Sequence, residues 1–340
     1  MREELKVLCK EFIENRDLAK EAFVWESSYM PPICAGILTD KNQTLTADKL
    51  KEYKQMIKDK TGIFSNFRGT GISPMACMLA TGDDAEKLLA DALEIHEELK
   101  KHFWSSQYLP LVSMIVAQMA EKDRYSYIVQ RTKQIYDLMK QEHPFLTSSE
   151  DGPFAAMLAF AECSPEAITA EVEKCYQILK PKFFSGNAVQ SLSHVLALGE
   201  GSAEMKCRKL EELFDALKAK GYKYGTDYEL ATLGALSILP FDTANMVRDV
   251  IEAADFLEGQ KGYGFLGATK KQRLMHAATL VSKAYVGEQG ASLTGQFLGK
   301  ENGRIMTSAA INSAIAMIAA EQAAMCAAIA ASAAASSASN

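Results

Sequence analysis

A period of about forty residues runs through most of the chain and constrains its fold more than any other feature. At each period a large apolar residue is followed by a charged one, at successive spacings of 42, 40, 40, 38 and 40 residues. These six marker pairs are Ile57-Lys58, Leu99-Lys100, Met139-Lys140, Leu179-Lys180, Leu217-Lys218 and Leu257-Glu258. In the four middle copies a ring stands four residues before the charged member: His96, Tyr136, Tyr176 and Phe214. A unit that recurs at this length predicts a repeat architecture.

Each marker pair closes a long segment with apolar residues at helical spacing, as at Leu88, Ala92, Ile95 and Leu99. A shorter and mostly apolar segment precedes each long one, which is typical of a helix covered on nearly all sides. No run of four or more residues has the alternation of a half-buried strand. The sequence therefore predicts an all-α fold of α/α hairpins. The short segments are 33–38, 75–80, 111–120, 154–161, 192–198, 230–239 and 274–281.

One hairpin cannot bury both of its faces, so neighbouring pairs must stack and share a core. We expect a solenoid or superhelix with a concave surface, and a closed α/α toroid is the alternative. The predicted organisation is an N-terminal helical cap, 1–30, with Trp25 as a core anchor, then an array of about six to seven helix pairs, 31–286. A Gly-rich joint, 287–304, and an Ala-rich C-terminal helix with a frayed end, 305–340, complete the chain.

Residue types that favour N-caps stand at the predicted helix starts. Asp83, Ser164, Ser202 and Asp242 precede long segments and are predicted N-caps. His96 stands among glutamates and is predicted to lie on an exposed helix face.

An aromatic residue, usually followed by glycine, comes after each long segment. The same pattern explains Gly262–Gly267, which formally matches G-x-G-x-x-G. A dinucleotide site needs a preceding strand and a βαβ unit, and a helical segment precedes this motif instead. We therefore expect no cofactor here, but a helix stop with glycine in a left-handed turn and the aromatic packed on the next pair.

Charge and cysteine usage bear on partners and compartment. The net charge of −6 argues against nucleic acid as the main partner, because phosphate binding requires an excess of Lys and Arg. The first fifteen residues mix charges and lack the apolar run of a signal peptide. Seven scattered cysteines without a C-x-x-C pair fit reduced thiols and indicate a cytoplasmic protein without a zinc site.

The most polar irregular stretch of the array is 143–152. It places a histidine, three hydroxyls and two carboxylates at one edge between repeats, and Gln190 and His194 begin the next repeat's short segment one helical turn apart. Such a group can bind a ligand or act as acid and base. The alternative interpretation is that Ser149 or Asp151 caps the following helix and that His194 is a hydrogen-bonded core histidine. The candidate ligand-binding residues are His143, Thr147, Glu150, Asp151, Gln190 and His194.

In the C-terminal segment 305–331 a heptad-like seam has the spacing 4-3-4-3-4, at Ile311, Ile315, Ile318, Gln322, Met325 and Ile329. Its length would span a bilayer, but most of its residues are alanine and Glu321 lies well inside it, at a cost of about 2.5–3.5 kcal/mol. A docked or self-associating helix is favoured over a membrane span.

Three runs resemble an uncharacterised bacterial family, domain of unknown function 4003: Lys140–Ser148 (KQEHPFLTS), Asn187–His194 (NAVQSLSH) and Gly225–Leu230 (GTDYEL). The likeness covers most of residues 1–290. The resemblance implies a bacterial, cytoplasmic protein and supplies no activity, substrate or catalytic residue.

No nucleophile elbow, phosphate-binding loop or metal-ligand motif occurs in the sequence. We therefore expect a non-enzymatic helical-repeat scaffold, without cofactor or metal, that binds a peptide, a protein or a small molecule on its concave face. The alternative is an α/α-type enzyme with a polar site near His143, Asp151 and His194.

Overall fold

A computed structural model describes residues 1–24, 27–39, 45–264 and 267–291, with side chains through residue 287. In these residues all regular secondary structure is helical and no strand occurs, which confirms the all-α prediction. The α-helices are α1 Glu3–Ala22, α2 Met30–Leu38, α3 Ala47–Lys60, α4 Ile72–Ala80, α5 Ala85–Leu99, α6 Leu109–Met119, α7 Tyr125–Glu142, α8 Gly152–Leu158, α9 Pro165–Leu179, α10 Gly186–Ala197, α11 Ala203–Ala219, α12 Leu230–Ser237, α13 Thr243–Glu258 and α14 Lys270–Ala291. Short 3₁₀ helices cover Asn66–Arg68, Lys122–Arg124 and Ser149–Asp151.

Helices of two kinds alternate from α2 to α13. Every residue of α4, α8 and α12 is buried, as expected for short apolar segments that neighbours must cover. Each long helix buries one stripe of side chains and exposes the opposite face to solvent. In α5 the buried stripe includes Leu88, Ala92, Ile95 and Leu99. Burying one such leucine or isoleucine contributes about 1.5–3 kcal/mol. Core burial therefore holds the short helices in place, and the long helices cover them.

Side-chain caps begin the long helices. Ser164, Ser202 and Asp242 each accept a hydrogen bond from the backbone N–H three residues ahead, as predicted. The predicted cap at Asp83 is wrong by one residue, because α5 begins at Ala85 and the Asp84 carboxylate accepts from the Lys87 N–H at 2.9 Å. Each such cap is worth about 1 kcal/mol.

The described residues form two compact units, 11–169 and 1–10 with 170–291. In the first unit the short helices α2, α4, α6 and α8 pack in series, and α5 packs on α7. In the second unit α10, α12 and α14 pack in series, and α11 packs on α13. Within each unit the short helices form one series, which α14 continues although it is 22 residues long, and long helices contact one another outside it. Each series is also covered by long helices, as α6 is by α5 and α14 is by α13.

The environment of His96 contradicts its predicted exposure. Its side chain is buried, and the ring packs edge-on against Phe67 with centroids 5.0 Å apart. The neighbouring glutamates suggested a solvated face, but the helical stripe of α5 extends far enough round the helix to include His96. Burial, with the nearby charge of Lys100, lowers the pKa of the imidazole.

Several predictions concern residues outside the described part of the chain. These are the anchor role of Trp25, the central residues Phe265 and Leu266 of the glycine motif, most of the 287–304 joint and the whole C-terminal helix. Gly262, which is described, has φ +93° just after α13, the left-handed conformation that the helix-stop prediction requires. No described helix has the length and apolarity that crossing a bilayer would require.

Candidate functional site

The six candidate residues are divided between the two compact units. His143, Thr147, Glu150 and Asp151 occupy the turn between α7 and α8, in the unit of residues 11–169. Gln190 and His194 lie on α10, in the other unit, and both side chains are buried. The structure thus groups the first four and, separately, the last two.

The turn after α7 is held by hydrogen bonds to backbone carbonyls. The His143 carbonyl accepts from the Thr147 N–H at 2.9 Å, and the Thr147 hydroxyl donates to the Met139 carbonyl at 3.0 Å. The Lys140 ammonium donates to the carbonyls of Pro144 and Thr147, both at 2.6 Å. Thr147 is buried, and its hydroxyl adds a second hydrogen bond to the Met139 carbonyl, which also accepts from the His143 N–H at 2.9 Å.

Asp151 closes a capping box at the end of the same turn. Its Oδ2 accepts from the Ser148 N–H at 2.8 Å, and the Ser148 hydroxyl accepts in return from the 3₁₀ helix that follows. Ser148 is therefore the capping hydroxyl of the 3₁₀ helix Ser149–Asp151. Of the two caps predicted for α8, Asp151 stands at the N-cap position, but its side chain makes no capping hydrogen bond to α8. Burial raises the pKa of the Asp151 carboxyl to about 7, with a smaller contribution from the charge of Glu150. Asp151 can therefore exchange a proton near neutral pH. The neighbouring Glu150 side chain is exposed to solvent.

Among the described residues no three or more His, Cys, Asp or Glu side chains form a group that could hold a metal ion. Five cysteines are buried, and Cys163 is exposed; Cys326 lies outside the described residues. Burial raises the pKa of the Cys9 thiol to about 12, which makes it a poor nucleophile at neutral pH.

A charged position that recurs in the long helices was missed by the sequence reasoning. It lies nine residues before the charged member of each marker pair, at Lys49, Asp91, Arg131, Glu171, Lys209 and Asp249. Counting back from the marker pairs would have found it, but the sign of the charge alternates from copy to copy, so a search for a recurring residue or a recurring sign of charge does not detect it.

At three of these positions the side chain makes a hydrogen bond to the next helix along the chain, or to the residues just after that helix. Arg131 donates to the carbonyls of Ala159, Ala161 and Cys163 around the end of α8. Lys209 donates to the Leu239 carbonyl just beyond α12. Asp249 is fully buried and accepts from the Tyr285 hydroxyl of α14 at 2.9 Å. The position therefore links successive repeats within each unit.

The linkers after the long helices divide their aromatic residues into two groups. Anchor aromatics are Phe67, Phe103 and Phe183, whose rings pack edge-on against His96, Tyr136 and Phe214, with centroids 5.0–5.3 Å apart. These partners are rings of the register noted in the sequence. The outer aromatics, Phe64, Trp104, Phe145 and Phe184, are 94–98 % exposed. The packed aromatic predicted for the 262–267 motif is Tyr263, which is buried and whose hydroxyl lies 2.7 Å from His276 Nδ1 of α14. The anchor aromatics pack in a comparable way, and the outer aromatics do not.

Comparisons with known proteins agree with the resemblance seen in the sequence. The model of a family described as "Protein of unknown function (DUF4003)" matches residues 15–323. A relative described as "Uncharacterized protein YeaA", from Bacillus subtilis (strain 168), is 25 % identical over 220 residues, which make up 62 % of this chain. The match spans 66 % of that relative, just under two thirds of its length. No solved structure matches the chain.

Proposed function

Since the chain belongs to DUF4003, a family of unknown function, its role must be argued from its own geometry, and we propose that it is a non-enzymatic binding scaffold of α/α repeats. The observation that carries the proposal is the layering shared by the two units, with the short helices and α14 packed in series and α5 on α7 and α11 on α13 outside them. Layers built in this way create extended surfaces suited to peptides and proteins.

The finer arrangement belongs to the same proposal, a solenoid with a closed toroid as the alternative. The toroid is supported by contacts inside one unit. The N-terminal ammonium lies 2.9 Å from Glu252, and Arg2 Nε lies 2.9 Å from Asp249. A ring brings its first helix against its last pair, whereas an open array holds them at opposite ends. Small-angle X-ray scattering of the full chain distinguishes the two, since a ring has the smaller maximum dimension.

The proposed partner is a peptide, a protein or a small molecule on the concave face of the array. Gln190 and His194 place an amide and an imidazole one turn apart on α10, among mostly apolar neighbours; because both are buried, a partner reaches them only through a site that opens beside this helix. Specific sites commonly combine an apolar lining with a few polar groups of this kind.

Affinity capture from the bacterium that encodes the chain tests the scaffold. The bait is the full chain, compared with Gln190→Ala on α10 and with the matched substitution Gln177→Ala on the exposed face of α9. We expect a partner that the wild type and Gln177→Ala retain and Gln190→Ala loses, with thermal melting to verify that each bait is folded. Equal capture by all three baits would contradict a partner site at α10.

An α/α-type enzyme is the second candidate, favoured by the Asp151 pKa near 7. A general acid or base works best when its pKa lies near the working pH. Asp151→Asn removes proton transfer but keeps an oxygen that accepts from the Ser148 N–H. Any hydrolytic or transfer activity found for the wild type should fall by about 10²-fold or more in Asp151→Asn. Unchanged activity would exclude Asp151 as the acid or base.

A further inference from the structure

Two neighbouring linkers of the unit 11–169 present outer aromatics along one edge. Phe64 and Trp104 are 94 % and 96 % exposed, and Ile63 beside Phe64 is 72 % exposed. The linkers touch, because the Asn66 side-chain amide donates to the Ser105 hydroxyl at 2.7 Å. Large apolar side chains clustered in this way on a surface indicate an interaction site, whereas single ones need no explanation.

The first linker is held in shape by its own residues. The Arg68 guanidinium donates to the carbonyls of Lys58 and Thr61, and the Phe67 ring is buried against His96. Packing therefore already uses one aromatic of the linker, and Phe64 contributes nothing to it. Phe64 is therefore exposed on a linker whose conformation is fixed by hydrogen bonds and by the packing of Phe67.

These linkers are basic although the chain is acidic. Residues 58–71 contain three basic side chains and one acidic, and residues 100–108 contain two lysines and no acid. The connection at the other end of α4, 81–84, contains two aspartates and no basic residue. Positive charge therefore accompanies the exposed aromatics at one end of these helices.

We propose that this edge patch, Ile63, Phe64 and Trp104 with Lys58, Lys60 and Lys101, binds the surface of an anionic lipid bilayer. Aromatic side chains are favoured at the headgroup level, and lysines beside them attract anionic lipids. The apolar side chains protrude from turns, and a fluid bilayer accommodates them without a preformed pocket for each.

A nucleic acid fits the same patch less well. Single-stranded binding needs ring faces for stacking and cations along the backbone. Ile63 has no ring, and the Arg68 guanidinium is occupied by linker carbonyls. The contact proposed here is peripheral, so it does not need the membrane-spanning helix that the sequence argument set aside. It is also independent of any partner on the concave face.

Vesicle flotation with the full chain tests the proposal. The probes are vesicles of phosphatidylcholine alone and of phosphatidylcholine with about 30 % phosphatidylglycerol, because only the second carries the negative surface charge. The variants are Phe64→Ser with Trp104→Ser, and Lys60→Glu with Lys101→Glu. The matched control is Tyr127→Ser, an aromatic on α7 that is 54 % exposed and lies away from the linkers.

We expect the wild type and Tyr127→Ser to bind the anionic vesicles, and binding to weaken as salt screens the lysines. Each double variant should lose about tenfold or more in partitioning, since one removes the apolar and the other the electrostatic contribution. Thermal melting should stay unchanged, because the altered side chains are exposed.

The proposal is overturned if the wild type does not bind the anionic vesicles, or if the aromatic double variant binds them equally well. It is overturned in favour of nucleic acid if the same variant loses binding to a single-stranded oligonucleotide but not to vesicles. A wild-type dimer in light scattering that the aromatic variant converts to a monomer, without vesicle binding, assigns the patch to a second copy instead.

Discussion

The turns 140–151 and 180–185 follow equivalent long helices, yet they are anchored by different chemistry. In both turns the marker lysine donates to linker carbonyls, and a phenylalanine is 98 % exposed. In 180–185 the anchor is the Phe183 ring against Phe214. In 140–151 the buried groups are the Thr147 hydroxyl and the Asp151 carboxyl. The repeat thus requires an anchor at this point but does not fix its chemistry, which gives the polar turn a structural role.

Loss of the aromatic anchor should have the largest effect. Phe183→Ala removes a buried ring and leaves a cavity against Phe214, so the free energy of unfolding should fall by about 3–5 kcal/mol. Urea denaturation followed by circular dichroism measures the change. Phe184→Ala is the matched control, one residue away and 98 % exposed, and should change stability by less than about 0.5 kcal/mol. Equal effects of the two substitutions would contradict the division into anchor and outer aromatics.

The polar anchor should make stability depend on pH. Burial raises the Asp151 pKa from 3.8 to about 7, so the folded state keeps a proton that the unfolded state releases between these values. The stabilisation is complete below about pH 4 and is lost as pH rises through about 7. Asp151→Asn cannot ionise and should lack this loss.

Denaturation of both proteins at several pH values measures the difference. From about pH 4 to pH 8 the wild type should lose on the order of 2–4 kcal/mol relative to Asp151→Asn, at 1.36 kcal/mol per pKa unit. Other titrating groups cancel in this comparison because both proteins share them. Parallel stability profiles would show that the carboxyl does not titrate in the folded turn.

These two turns also show how far the sequence could predict the structure. Period and hydropathy predicted the alternating short and long helices, because core burial depends on patterns that a sequence displays directly. Both turns were placed correctly after their helices. Which aromatic is buried could not be predicted, because Phe183 and Phe184 are adjacent and only the path of the turn separates them.

The candidate site was harder to predict than the fold. Thr147 and Asp151 have the residue types of a polar site, but their hydrogen bonds go to backbone groups whose positions the sequence does not reveal. The charged position shared by Arg131 and Asp249 escaped notice for a related reason. The two residues have opposite charges because Arg131 donates to carbonyls, whereas Asp249 accepts from a hydroxyl. The residue type at this position therefore depends on the hydrogen-bond partner.

Removal of the buried hydroxyl tests the second half of the polar anchor. Thr147→Val keeps the shape of the side chain but removes the 3.0 Å hydrogen bond to the Met139 carbonyl, which still accepts from the His143 N–H. The expected loss is about 1 kcal/mol, the net contribution of one buried hydrogen bond. Thr147→Ser, which keeps the hydroxyl, is the control and should lose less. If valine is tolerated as well as serine in urea denaturation, the hydroxyl is not the anchor.

The smallest effect is expected at the lysines that brace the two turns. Lys140→Met should cost about 0.5–1 kcal/mol and Lys180→Met about half as much, because Lys140 donates to two linker carbonyls and Lys180 to one. Methionine keeps the apolar stem, so the difference reports the ammonium group. The exposed setting makes both values salt-dependent, and about 0.5 M salt should narrow the gap between them. Equal losses at low salt would mean that the turns are braced alike, which would leave the buried anchor as the sole difference between them.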